Sequence, residues 1–346
     1  MKVCLPPVLI GLVLILIATA PGAPADAERR LATATGPERV TLLLELADPA
    51  TGNPPARNRQ YATEALILSR TLGDPRSEAA ALFALAEAEH ALGETDDALL
   101  HLEEARAIHT RLGDLRERAR TFRKAGDFCF FVSRYDDAVR LYLESMKGYE
   151  GIPPAERTSK DHLQIGHLYT TLGNVLRNTG DRDQAIAYYL RSAEIYRQED
   201  YRLGLVGAAC NIGGILEEMG RPAEALTHLD PVEPLARELG NRYLLSIVLT
   251  NLGTCHRDLR DFRKARAYFD ESLRICRQDK RDRGILGNLK ALGEMYDQRG
   301  RPADAIACYR EALPLGERLG ARKEMSELYD LLARSQERTG DYAAAL

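Results

Sequence analysis

One feature constrains this chain before any other: it repeats, and a chain that repeats at a fixed interval folds as stacked supersecondary units rather than around one centre. Four segments align without gaps: TLGNVLRNTGDRDQA from Thr171, NIGGILEEMGRPAEA from Asn211, NLGTCHRDLRDFRKA from Asn251 and ALGEMYDQRGRPADA from Ala291. Each closes on an alanine (Ala185, Ala225, Ala265, Ala305), and the same mark recurs at Ala98, Ala138 and Ala345. Successive marks lie 40, 47, 40, 40, 40 and 40 residues apart. Twelve residues before each mark sits another small residue: Ala86, Gly126, Gly173, Gly213, Gly253, Gly293 and Ala333. The length of 346 residues agrees, since single cores rarely grow beyond about 250–300 residues.

Each unit reads as two amphipathic helices joined by a tight turn. Gly93, Gly180, Gly220, Gly300 or Gly340 occupies the turn, with Ser133 and Arg260 in the other two copies. Glycine suits a helix C-terminus because it enters the left-handed region cheaply. The small marked residues let paired helices approach closely. The bulky residues that follow, Leu102, Tyr142, Tyr189, Leu229, Phe269 and Tyr309, are expected to fill the gap between adjacent units. Ala, Leu, Arg, Glu and Asp dominate the composition, most of them good helix formers.

These marks resemble the tetratricopeptide repeat, whose signature is small residues at fixed positions with a large residue between two of them. The match covers nearly all of residues 38–346. The family's tryptophan is replaced by Leu82, Phe122, Tyr169, Ala209, Leu249, Leu289 and Tyr329. The period of 40 exceeds the family's usual spacing of about 34, and resembles that of kinesin light chains and many bacterial signalling proteins. The resemblance implies an all-α fold, a right-handed superhelical solenoid of antiparallel helix pairs. About seven units fill 78–346, the last truncated, after a linker and degenerate first repeat or cap over 28–77.

Departures from the pattern carry their own expectations. The long interval holds GYEGIPPAERTSK from Gly148, a proline-rich insert. Pro231 and Pro234 fall where a second helix should continue, so that helix should kink or end early. DPATGNPP from Asp48 interrupts the degenerate first unit. Residues 1–27 read as an export signal or an N-terminal anchor: Lys2, an apolar run from Val8 to Ala20, then A-x-A patterns ending at Ala25 and Ala27. The expected location is therefore exported, periplasmic or extracellular, with membrane contact only through an uncleaved N-terminus. Since the chain stops one residue past its last mark, it reads as a piece of a longer product.

A search for chemistry returns no P-loop, no dinucleotide-binding glycine motif and no nucleophile elbow. No metal ligands or cofactor site are expected. His101, His109, His162 and His167 lack a chelating spacing and read as exposed helix residues. Asp96–Asp97 and Asp136–Asp137 suit the positive ends of second helices. After loss of Cys4 with the signal, Cys129, Cys210, Cys255, Cys276 and Cys308 read as small buried hydrophobes, with a Cys210–Cys255 bridge the alternative. A net charge of −4 from 47 basic and 51 acidic residues argues against nucleic acid as partner.

What remains is the concave groove that the resemblance implies, lined by first helices. Its positions carry Arg120, Arg123, Lys124 and Asp127, then Thr170, Thr171, Asn174, Arg177 and Asn178. In later copies they carry Asn211, Glu217, Thr250, Asn251, Thr254 and Arg257. Asn211 and Asn251 resemble the family's readers of a peptide backbone, since an amide both donates and accepts. The arginines and Lys124 favour an acidic protein or peptide segment. The expected function is a non-catalytic exported protein that binds a protein or peptide in this groove. The alternatives are a sensory region of a bacterial histidine kinase or nucleotide cyclase whose membrane and output domains lie elsewhere, and an envelope assembly factor. Phe130 and Phe131 adjoin on one helix, so either one is exposed or both are buried between units.

Overall fold

The computed structural model describes residues 23–340, and among these every regular element is helical. The expected signal over 1–27 lies mostly outside the described residues, as does the mark at Ala345. The described residues divide into two units, 23–180 and 181–340. The first holds α1 (Ala23–Leu31), α2 (Gly36–Ala47), α3 (Pro55–Leu72), α4 (Pro75–Ala91), α5 (Thr95–Leu112), α6 (Leu115–Phe131), α7 (Tyr135–Glu150) and α8 (Ser159–Thr179). The second holds α9 (Arg182–Gln198), α10 (Arg202–Glu218), α11 (Pro222–Leu229), α12 (Glu233–Glu238), α13 (Arg242–Asp258), α14 (Phe262–Gln278), α15 (Asp282–Gln298), α16 (Pro302–Leu319) and α17 (Arg322–Thr339). No described helix is long and apolar enough to cross a membrane.

Helices pair in sequence: α2 with α3, α4 with α5 and α6 with α7 in the first unit, α13 with α14 and α15 with α16 in the second. The turns within the pairs adopt the left-handed conformation, φ 88° at Gly93 and 70° at Gly300. Ser133 and Arg260 take it as well, both at φ 62°, although a side chain makes it costly. The bulky residues extend one expectation. They fill the gap inside a pair as well as joining clusters with the next repeat, where Leu102 meets Ala125 and Phe128 and Phe269 meets Leu286. A Cβ on Gly126 would stand 2.7 Å from the Tyr142 ring, and one on Gly253 2.6 Å from the Phe269 ring. The helices of a pair therefore meet where one has no side chain and the other has its largest. Hydroxyls then tie the pair together: Ser145 donates to the Ala119 carbonyl at 2.7 Å and Ser272 to that of Ser246 at 2.9 Å.

The second helix around Pro231 and Pro234 breaks as expected, into α11, a 3-10 turn over Asp230–Val232 and α12. Pro314, by contrast, sits inside α16 without ending it. The insert is shorter than its sequence suggested, because α7 runs on to Glu150. A 3-10 turn over Pro154–Glu156 follows, and Thr158 and Asp161 form a reciprocal cap on α8. Arg116 closes the insert with contacts of 3.0 and 3.2 Å from its Nε to the two Asp161 oxygens. At the N-terminus, Ala27 on α1 is buried beside Leu42 and Leu46. The helix thus spans both expected cleavage points.

Candidate functional site

The first helices of each unit touch one another through polar side chains, and these contacts decide which groups face solvent uncommitted. In the second unit Arg257 of α13 is buried to a tenth of its side-chain exposure. Its Nε donates to Asp258 at 2.8 Å, Nη2 lies 3.5 Å from Glu217 of α10, and Nη1 pairs with Glu294 of α15. One guanidinium thus serves three carboxylates. Burial pushes the Glu217 carboxyl above its usual range, and Arg257 only partly opposes this. Lys290 of α15 pairs with Glu327 of α17.

One of the two expected peptide readers here is also occupied. Asn251 donates its amide to the Cys210 carbonyl of α10 at 3.1 Å. The Thr250 hydroxyl lies 2.8 Å from the Ser246 carbonyl and 2.9 Å from the Ser272 hydroxyl, inside a buried network with Asn288. Thr254 donates back to Thr250 at 3.0 Å. Asn211 is half-buried on α10. The expectation that Arg257 attracts an acidic ligand and that Asn251 reads a backbone is therefore corrected. Both side chains bind their own chain, and the charge around Arg257 is net negative.

In the first unit Lys124 donates to Glu87 of α4 at 2.6 Å, another expected free cation that is paired. Its ammonium also lies 5.5 Å from the Phe83 ring centroid. Arg123 approaches Asp127 at 3.4 Å, and Asp127 accepts a hydrogen bond from Tyr142 at 3.0 Å. Burial raises the Asp127 carboxyl against the pull of Arg123 and Lys124. Arg120 stacks on Phe83 at 4.6 Å and reaches Glu117 at 3.2 Å. Asn174, Arg177 and Asn178 are half-buried on α8. The structure thus brings Lys124 against α4 in the first unit and Asn251 and Arg257 against α10 in the second. Phe131 is exposed, at 62%, with its edge on His90, while Phe130 packs beside Tyr135.

A cleft of about 280 Å³ opens on this face of the first unit, between α2, α4 and α6. Its floor is apolar, built from Leu44, Ala79, Ala80, Phe83 and Ala84, where the alanines leave room that larger side chains would fill. Arg76 and Arg120 stand at its rim, and His109 of α5 reaches it from behind. His109 is not exposed, as its sequence position suggested, but buried, and its Nδ1 makes no hydrogen bond. Burial lowers its basicity, and at His167 burial together with Arg123 pushes the imidazole down to about 4. Arg76 and Phe83 went unread in the sequence, and His109 was read only as an exposed helix residue, because the groove positions implied by resemblance omit them. The five described cysteines are free, so no bridge joins Cys210 to Cys255, and burial pushes both of these thiols up to about 12. Among the described residues no cluster of ligating side chains could hold a metal ion.

Comparison with known proteins matches this geometry to the tetratricopeptide repeat. Models of that repeat match residues 77–151, 166–199, 204–278 and 289–321. Response regulator aspartate phosphatase A of Bacillus subtilis is 26% identical over 203 residues, 58% of this chain and 52% of that protein. The chain therefore spans about half the length of this relative. Among solved structures, the apo form of the quorum sensor NprR from B. thuringiensis superposes with a TM-score of 0.66 at 14% identity, covering 93% of this chain and 88% of that one. A Rap protein complexed with Competence and Sporulation Factor gives 0.55 at 15% identity, covering 96% and 83%. At such identities these likenesses speak to fold.

Proposed function

The chain belongs to the tetratricopeptide repeat family, and from that premise we propose that it is a non-catalytic binding protein that holds a peptide segment of a partner against its first helices. The observation that carries this reading is the cleft between α2, α4 and α6. It joins an apolar floor to uncommitted polar groups on helices whose positions are fixed by packing. Such concave sites with a few convergent polar groups are where ligands bind. The relatives support it in kind: one solved structure is a Rap protein with a bound factor, another a quorum sensor. The apolar run from Val8 to Ala20 supports an exported location for this activity.

The test is selection from a displayed random-peptide library on the intact protein, followed by affinity measurement on two variants. Ala80→Trp plugs the cleft from an exposed position, and Asn211→Arg obstructs the corresponding face of the second unit. Selected peptides should lose at least about tenfold affinity on one variant or the other. Peptides that bind both variants as tightly as the parent protein place recognition elsewhere and defeat the reading. A turnover assay on a phosphorylated response-regulator domain gives the other arm: catalytic dephosphorylation by the chain would overturn the non-catalytic half of the proposal.

A further inference from the structure

The charges lining the first-unit cleft are unevenly committed. Every carboxylate there already has a partner. Asp48 accepts the Ala50 amide at 2.8 Å, Asp114 the Glu117 amide at 3.1 Å, Glu87 the Lys124 ammonium at 2.6 Å and Glu117 the Arg120 guanidinium at 3.2 Å. The Arg76 guanidinium makes no ion pair or hydrogen bond among the described residues, and interacts at longer range with Asp74, the cap of its own helix. The repeat supplies an internal comparison. Arg116 stands 40 residues on, at the same second position of its helix, and is clamped on Asp161. Its counterpart Arg76 is left facing the cleft.

A second, independent observation points the same way. His109 is 8% exposed, lines the cleft, and has a buried ring nitrogen without a partner. Buried polar atoms of this kind are rare in native structures and call for an explanation. A cleft whose anions are hydrogen-bonded, whose cation Arg120 is paired while Arg76 is not, and whose floor is small and apolar asks for one kind of group. We infer that it receives an apolar side chain carrying or adjoining a carboxylate, so that the hydrocarbon lies on Ala80, Phe83 and Ala84 and the carboxylate meets Arg76. In a peptide this is a hydrophobic residue beside an acidic one. The inference rests on the binding role proposed above and gives the chemistry of its anchoring residue.

The probe is 4-(4-fluorophenyl)butyrate, followed by fluorine NMR on the full chain, with its primary amide and the corresponding amine as the two other arms. The carboxylate should bind, the amide should bind roughly ten- to hundredfold more weakly, and the amine more weakly still. Arg76→Gln should erase the advantage of carboxylate over amide while leaving amide binding in place. Ala80→Trp should abolish binding of both. Circular dichroism on each variant reports whether the helices persist, and both positions are exposed, so they should. Equal binding of carboxylate and amide, preference for the amine, no binding by any arm up to its solubility limit, or binding indifferent to Ala80→Trp each overturns the inference. If library peptides still respond to the two blocking variants in such a case, the peptide-binding reading stands and only the anchor chemistry fails. If they do not, both fall.

Discussion

Gly293→Ala tests the packing rule on which every helix pair is built. A methyl group there would lie within overlap distance of Cε1 of Tyr309 and 2.7 Å from its Cδ1 and Cζ. The ring cannot retreat. It is 0% exposed, and its hydroxyl donates to Asp297 at 3.0 Å. Asp297 is itself held by Ser335 at 2.7 Å and by Arg338. Overpacking of this kind costs about 1–3 kcal/mol, and a ring fixed at both ends argues for the upper end. Alanine gains about 1 kcal/mol over glycine in a helix interior. The net loss is then about 2 kcal/mol, or roughly thirtyfold in the equilibrium for local opening. Repeat arrays open locally, so the assay is native-state hydrogen exchange of α15 and α16 amides, with those of α4 to α7 as reference. Gly287→Ala in the same helix is the control, since a Cβ there meets nothing within 4 Å and only the propensity gain remains. The double variant Gly293→Ala with Tyr309→Leu should recover most of the loss. The chain already uses that combination, for Ala86 and Leu102 pack together in the first unit. Unchanged protection in Gly293→Ala, or an equal loss in Gly287→Ala, would refute the reasoning.

Other outcomes can be stated more briefly. Arg257→Met removes one cation from three carboxylates and should destabilise the second unit by about 3 kcal/mol at neutral pH, read by urea titration. Glu217 has its carboxyl raised by burial, so its protonated form favours the folded state. Glu217→Gln should therefore stabilise above the raised value and lose that advantage as pH falls through it toward the ordinary one. Burial pushes Asp161 up, but its bonds from Arg116 and Thr158 hold it below the usual range. Its contribution should be present above the ordinary carboxylate value and vanish as pH falls through the lowered one, in a urea–pH series absent from Asp161→Asn. Arg260→Gly relieves a left-handed residue and should raise stability by about 0.5–1 kcal/mol in the same titration.

The helix pairs were legible because their determinants are local and repeat. A glycine or alanine, a turn residue and a buried ring recur at one register, and each reports a contact within the next turn or helix. The register even located Ser133 and Arg260 as turn residues, although neither type suggests φ 62°. Pro314 was not legible as a helical residue, because neighbouring helices hold α16 through it against its own preference. The site was read far less well. Thr250, Asn251 and Arg257 have the right types at plausible groove positions, yet each is bound to another helix. Residue type and face alone do not tell whether a polar group is free.

The missing information lies one repeat away. Lys124 pairs with Glu87, Arg257 with Glu294 and Lys290 with Glu327, each 37 residues apart, and Arg257 also meets Glu217 at 40. A period of 40 less nearly one helical turn places such residues side by side on adjacent first helices. Charge on this face is therefore to be counted in pairs across repeats, not residue by residue. Counted so, Arg257 and Lys290 disappear as ligand cations, Lys124 is neutralised, and the second unit retains an excess of carboxylate around Arg257. Arg76 survives the count, beside the apolar floor of the first-unit cleft. An acidic ligand, expected from the number of arginines in the groove, is thus supported by a different arginine from those that suggested it. On the proposed reading it belongs in the first unit, because in the second its carboxylate would meet three others already sharing one guanidinium.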